Sequence, residues 1–266
     1  MTISPSQSTA PSGTAPPRAI STISPPRKLI RPCNSPPGRI RRALARVRVW
    51  CITKLSFGMG VSMTGERLVG YRRYGIYVIP EGEFHAAGAA WLGWDCAAGI
   101  PVAHPNVPDL PDAPEILTRT PRKYGFHGTV KPPFHIADGT EAEGLHQAAE
   151  AFCRTRAPVT IPTLEVRRIG GFIAVVPAEP HPGLGDLAAA TVEALDAFRA
   201  PPSGAELARR RKARLTERQE ALLMQWGYPY VMEEFRFHLT LTGRLDPEAA
   251  DRARAALARH FDPVLP

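Results

Sequence analysis

Cysteine is scarce and shows no pairing pattern: Cys33, Cys51, Cys96 and Cys153 are the only four, with no CxxC and no histidine at zinc-ligand spacing. Nothing here encodes a disulfide framework or a metal site, which fits a reduced, cytoplasmic protein with no metal and no cofactor. The body also lacks any run of about 20 apolar residues, so neither a transmembrane helix nor a membrane partner is expected. Acidic residues are missing from one stretch. Residues 1–62 hold 10 Lys and Arg and no Asp or Glu, whereas from 63 onward 23 basic residues stand against 25 acidic ones, a net charge of −2. The overall charge of +8 therefore belongs to the leader. The nucleic-acid binding that such basicity normally suggests is not a property of the body.

The leader is rich in Ser, Thr, Pro and Ala to about Pro37 and then carries Arg39, Arg41, Arg42, Arg46 and Arg48. Lys54 interrupts its apolar run, and the tail before that run is too long for a secretory signal. A basic, acid-free leader also resembles an organellar transit peptide, but its prolines oppose an amphipathic helix. The reading is a disordered basic extension over 1–62 ahead of a domain at 63–266. Met59 and Met63 leave open a later translation start.

In the body, Tyr74 to Ile79 reads as a strand and Glu83 to Leu92 as a helix stopped at Gly93. Helical spacing recurs over 138–156, 182–199, 204–225 and 247–260. Two extended runs, Val159 to Ile169 and Phe172 to Val176, meet at Gly170-Gly171 as a hairpin. A strand through His127 is expected to stop at Pro132-Pro133, and Val231 to Thr242 reads as one long strand. Antiparallel strands segregated from helices give an α+β fold.

One pattern points to chemistry. His-x-Thr occurs at His127-Gly128-Thr129 and again at His238-Leu239-Thr240, each in a strand-like run. Residues i and i+2 of a strand share a face, so each His projects with its Thr. On the same parity lie Lys131 in the first run and Arg236 in the second. Two copies of one device imply two pseudo-symmetric lobes, each an antiparallel sheet with packed helices, and a cleft between them. Imidazole titrates near neutrality, so one histidine can take a proton while the other gives one. Thr129 and Thr240 would hydrogen-bond the non-bridging oxygens of a phosphate, Lys131 and Arg236 would neutralise it, and no metal is needed. Tyr228 and Tyr230 lead into the second run and are candidates to line the pocket or stack on a base or sugar. Tyr124 and Phe126 fall on the opposite, core-facing parity.

With these motifs, and with the local runs RKYGFHGTVKPPF and WGYPYVMEEFRFHLTLTGRL, the chain resembles the two-histidine (2H) phosphoesterase superfamily, in particular a branch associated with bacterial phosphonate-degradation operons. The similarity begins near Arg72. It implies a metal-independent phosphoesterase, a hydrolase of the cyclic phosphodiesterase type, acting on a cyclic or 2′-linked phosphodiester of a nucleotide or phosphorylated sugar. His127, Thr129, His238 and Thr240 match the motif positions, and Gly128 and Leu239 fill slots that the pattern leaves variable. A small phosphorylated substrate and a monomer are expected, with RNA termini as an alternative partner. An RNA-binding module with the same cleft and a 2′-5′ ligase-like transesterase remain the competing readings.

Overall fold

Antiparallel strands separated by helices build a mixed α+β architecture, as the sequence leads one to expect. The computed structural model describes residues 49–50 and 73–266, all within the unit Arg42–Pro266. In chain order the elements are β1 (Val49–Trp50), β2 (Tyr74–Val78), α1 (Gly82–Leu92), β3 (Trp94–Asp95), β4 (Ile100–Pro101), α2 (Pro114–Leu117), β5 (Gly128–Phe134), α3 (Ala142–Arg154), β6 (Leu164–Ile169), β7 (Phe172–Pro177), α4 (Pro182–Ala194), α5 (Gly204–Arg211), α6 (Glu217–Trp226), β8 (Leu239–Thr240) and α7 (Pro247–Phe261). The six-stranded sheet has the order β1-β2-β5-β8-β7-β6, and β3 and β4 form a separate ribbon. Every pairing is antiparallel. Most of the expected leader over 1–62 lies outside the described residues; Val49–Trp50, inside it, pair with β2 at the sheet edge.

In place of a separate sheet for each of two lobes, one sheet runs without a break through both His-x-Thr segments. Strands β5 and β8 lie side by side at its centre, with Gly128 opposite Leu239. The glycine makes this possible: a Cβ at 128 would sit 2.5 Å from the Phe237 ring. The motif slot that looked variable is in fact filled by a neighbour. Beneath the sheet, Phe126, Val130, Phe237, Leu239 and Leu241 join one hydrophobic cluster with α7 residues Ala253, Leu257 and Phe261. The Trp91 indole N–H of α1 donates to the Leu241 carbonyl at 2.8 Å, which ties the first helix to the strand of the second motif.

Three expected boundaries move, each for a local reason. Strand β5 continues through Pro132-Pro133 to Phe134 because the prolines fall where its register with β2 slips between Ile76↔Lys131 and Tyr74↔Phe134. On the other side, β5 meets β8 only at Gly128, so neither proline is asked for a ladder N–H there. The expected helix over 204–225 is two: Arg214 takes a left-handed φ of 53°, and Thr216 with Gln219 forms a capping box that starts α6 afresh. In the run 231–242, Met232 at φ 54° and a 3-10 turn over Met232–Glu234 consume the first half, leaving a short β8.

Candidate active site

The pairing of Gly128 with Leu239 decides the geometry. In an antiparallel ladder the flanking residues then face one another: His127 lies opposite Thr240 and Thr129 opposite His238. Diagonal positions such as His127 and His238 are about 7–8 Å apart, room for a phosphate between the rings. All four side chains are half-buried.

Each imidazole is held in the same way. His127 Nδ1 donates to the Gly125 carbonyl at 3.0 Å, and His238 Nδ1 donates to the Arg236 carbonyl at 2.7 Å, in both cases two residues back along the chain. A carbonyl can only accept, so Nδ1 carries the proton and Nε2 is left for chemistry. Gly125 suits this role because its φ is 82° and a Cβ there would meet the Cys96 Cβ at 2.3 Å. Burial pushes the His127 imidazole down to about 4, against the pull of the Gly125 carbonyl and with a smaller contribution from the charge of His238. His127 is therefore neutral at pH 7, a base with a free lone pair.

A cavity of about 640 Å³ opens over this face, within the range of small-molecule sites. His127, Thr129, Thr240 and Tyr228 line it. His238 is outside that lining, but its ring packs 5.6 Å from Phe172, which belongs to it. Tyr77 stands edge-on to His127 at 4.5 Å and lines the cavity too. Tyr124, expected in the core, is 45% exposed and faces the cavity, whereas Phe126 is fully buried as expected. Tyr230 lies behind Tyr228 in a T-shaped contact at 5.7 Å and is outside the lining.

The two cations expected beside the motifs point elsewhere. Lys131 is 2% exposed; its Nζ donates to the Val192 carbonyl at 3.0 Å and meets Asp196 at 3.4 Å. The cause is a register slip: Tyr77 faces Thr129 but Ile76 faces Lys131, so one extra residue breaks the alternation between 129 and 131. Burial draws the Lys131 ammonium down to about 8, with Asp196 opposing. Lys131→Met should leave phosphate affinity unchanged and lower stability in denaturant unfolding by about 1–3 kcal/mol, since the buried Val192 carbonyl loses its donor while Asp196 keeps Arg199. A tenfold loss of affinity would return Lys131 to the site. Arg236 donates to the Glu233 and Phe235 carbonyls at 2.8 and 2.7 Å and lines a different cavity, beside Arg167 and Arg168. In their place the site has Arg73, Arg209, Arg210 and Arg244. Arg209 and Arg210 open the basic run 209–214, which starts in the last turn of α5.

Among the described residues no helix is long and apolar enough to cross a membrane. No solved structure matches the chain. Two curated relatives do: "Ribose 1,5-bisphosphate phosphokinase PhnN" of Janthinobacterium sp. (strain Marseille), 40% identical over 195 residues, 71% of this chain and 43% of the relative, and the protein of the same name in Laribacter hongkongensis (strain HLHK9), 35% identical over 195 residues, 73% of this chain and 45% of the relative. The chain thus spans less than half the length of these relatives. Their name corrects one expectation: both are phosphokinases, transferases of a phosphoryl group, and the assignment of the chain as a cyclic phosphodiesterase of the hydrolase class does not stand. The family described as "Protein of unknown function (DUF1045)" matches residues 129–266, a span that takes in Thr129, His238, Thr240 and the arginines of α5, and it is to this family that the chain belongs.

Proposed function

We propose that this chain binds a phosphorylated ribose of phosphonate metabolism and carries out acid–base phosphoryl transfer on it between His127 and His238. One observation carries the reading: the register of β5 against β8 sets each histidine opposite the other motif's threonine, with both Nδ1 atoms held by the backbone. His127 Nε2 takes the proton of the acceptor hydroxyl as that oxygen forms its bond to phosphorus. The bond from phosphorus to the departing oxygen breaks, and His238 Nε2–H supplies that oxygen with a proton. Thr129 and Thr240 donate hydrogen bonds to the non-bridging oxygens. A cyclic or 2′-linked phosphodiester suits such a site, because the sugar then supplies one of the two oxygens that exchange.

The resemblance to two-histidine enzymes supports chemistry at phosphorus, and the relatives' name supports the phosphorylated ribose. The chain has no G-x-x-x-x-G-K-[ST] run, so recognition at this site rests on the histidines, threonines and arginines. The test is a phosphorus NMR assay of the full chain with ribose 1,5-bisphosphate, ribose 5-phosphate and a 2′,3′-cyclic nucleotide, each with excess ribose as acceptor and with EDTA. Transfer to the acceptor should persist in EDTA. Its loss on chelation contradicts a metal-free step, and no transfer from any donor contradicts the reading as a whole.

A further inference from the structure

Three guanidinium groups, of Arg73, Arg209 and Arg210, line the cavity beside α5, and two of them share one carboxylate. Ser203 and Glu206 form a capping box that fixes the start of this helix and brings Arg209 and Arg210 into its last turn. Glu206 Oε1 is shared between Arg73 at 3.3 Å and Arg209 at 3.7 Å. Arg210 lies over the Tyr228 ring, 4.5 Å from its centroid. Arg73, just ahead of β2, also donates from Nη2 to the Pro133 carbonyl at 2.7 Å, while its buried Nε has no partner. Three positive charges thus face one negative charge in a partly desolvated wall. Burial, and then the charges of Arg209 and Arg73, draw the Arg210 guanidinium below its ordinary value against the pull of Tyr228. Arg211 differs: it turns away to Glu220 at 2.5 Å and is not part of the lining. Helix α5 is therefore not simply basic at its C-terminus. It sends two arginines to the cavity and one to an ion pair outside.

Arg73, just ahead of β2, and Tyr77 within it are four residues apart, about 13 Å along extended chain at 3.3 Å per residue, and Tyr77 touches His127. The arginines and His127 therefore occupy two ends of one cavity, with His238 just beyond the lining, behind Phe172. An extended arginine and a pentose together cover that distance.

We propose that Arg73, Arg209 and Arg210 form a second anion subsite, which holds a phosphate monoester carried by the same sugar whose other phosphate lies between the histidines. This rests on the phosphoryl-transfer reading for the histidine end alone. The substrate class is then a doubly phosphorylated pentose, recognised by paired guanidinium donors that suit a dianionic phosphate.

The test is calorimetric titration of the full chain at low salt with inorganic phosphate, and with ribose 1,5-bisphosphate against ribose 5-phosphate. Wild type should take up two phosphates, one lost in Arg210→Gln and the other in His238→Ala. The bisphosphate should bind at least tenfold tighter than the monophosphate, and Arg210→Gln should remove that advantage. Arg210→Lys keeps the charge and should retain part of it, which guards against a variant that merely misfolds. A single phosphate lost only in His238→Ala, no bound phosphate, or an advantage that survives both Arg209→Gln and Arg210→Gln overturns the subsite. A single phosphate lost in Arg210→Gln and kept in both histidine variants supports the subsite and sinks the histidine reading instead.

Discussion

Replacing His127 or His238 by alanine should lower the proposed phosphoryl transfer by about a hundredfold or more, the usual contribution of a positioned acid or base. The expectation follows from the shared way both rings are tied. Each Nδ1 is committed to a carbonyl, so each Nε2 is the nitrogen left to meet a substrate. Groups that act on one transition state are not additive, so the double variant should be little slower than the worse single one. The pH profile separates the two. His127, held at about 4 by burial, binds its proton only in acid, so in the wild type its acid limb should fall near pH 4. The same shift has a stability consequence. Unfolding raises the imidazole to its ordinary value near 6.5, the unfolded chain binds more protons between pH 4 and 6.5, and stability falls as pH drops through that window. Single-turnover rates read by phosphorus NMR check the first point; an unaffected rate in His127→Ala removes that residue from the chemistry.

Gly128→Ala should be the most damaging small substitution in the sheet. Its Cβ would stand 2.5 and 2.6 Å from two atoms of the Phe237 ring, which is itself 7% exposed and packed into the core cluster. Overpacking of this kind costs about 1–3 kcal/mol. The larger effect is on rate, because the residues forced apart are the ones that set His127 against Thr240. We expect a loss of about a hundredfold, the scale of a small misplacement of reacting groups. Adding Phe237→Leu should recover part of both losses, and the double-mutant cycle should show coupling of about 0.5–3 kcal/mol. Gly185→Ala in α4, where nothing lies within 4 Å of the added Cβ, is the control and should be neutral or stabilising. Purely additive losses at 128 and 237 contradict the role given to the glycine.

Much of the fold could be read from local pattern. Helix α1 ends at Gly93 in the left-handed conformation, and β6 and β7 turn at Gly170-Gly171, because glycine and apolar spacing act over a few residues. The histidine and threonine pairs were legible for the same reason. Lys131 was not, because a one-residue slip against β2 reverses which face it occupies, and that slip depends on a strand more than 50 residues away. Arg236 was misplaced when Met232 turned back on itself and shortened β8. Arg73, Arg209 and Arg210 escaped notice because they reach the cavity from just ahead of β2 and from α5, one before the first motif strand and the other between the two, and only the tertiary fold joins them.

The most direct measurement of the central claim is a long-range nitrogen–proton NMR titration of the imidazoles with ribose 5-phosphate. The account predicts that Nε2 of His127 and of His238 shift together with one midpoint while both Nδ1 atoms, held by Gly125 and Arg236, stay in place. Movement of one histidine without the other, or of neither, contradicts a phosphate held between them.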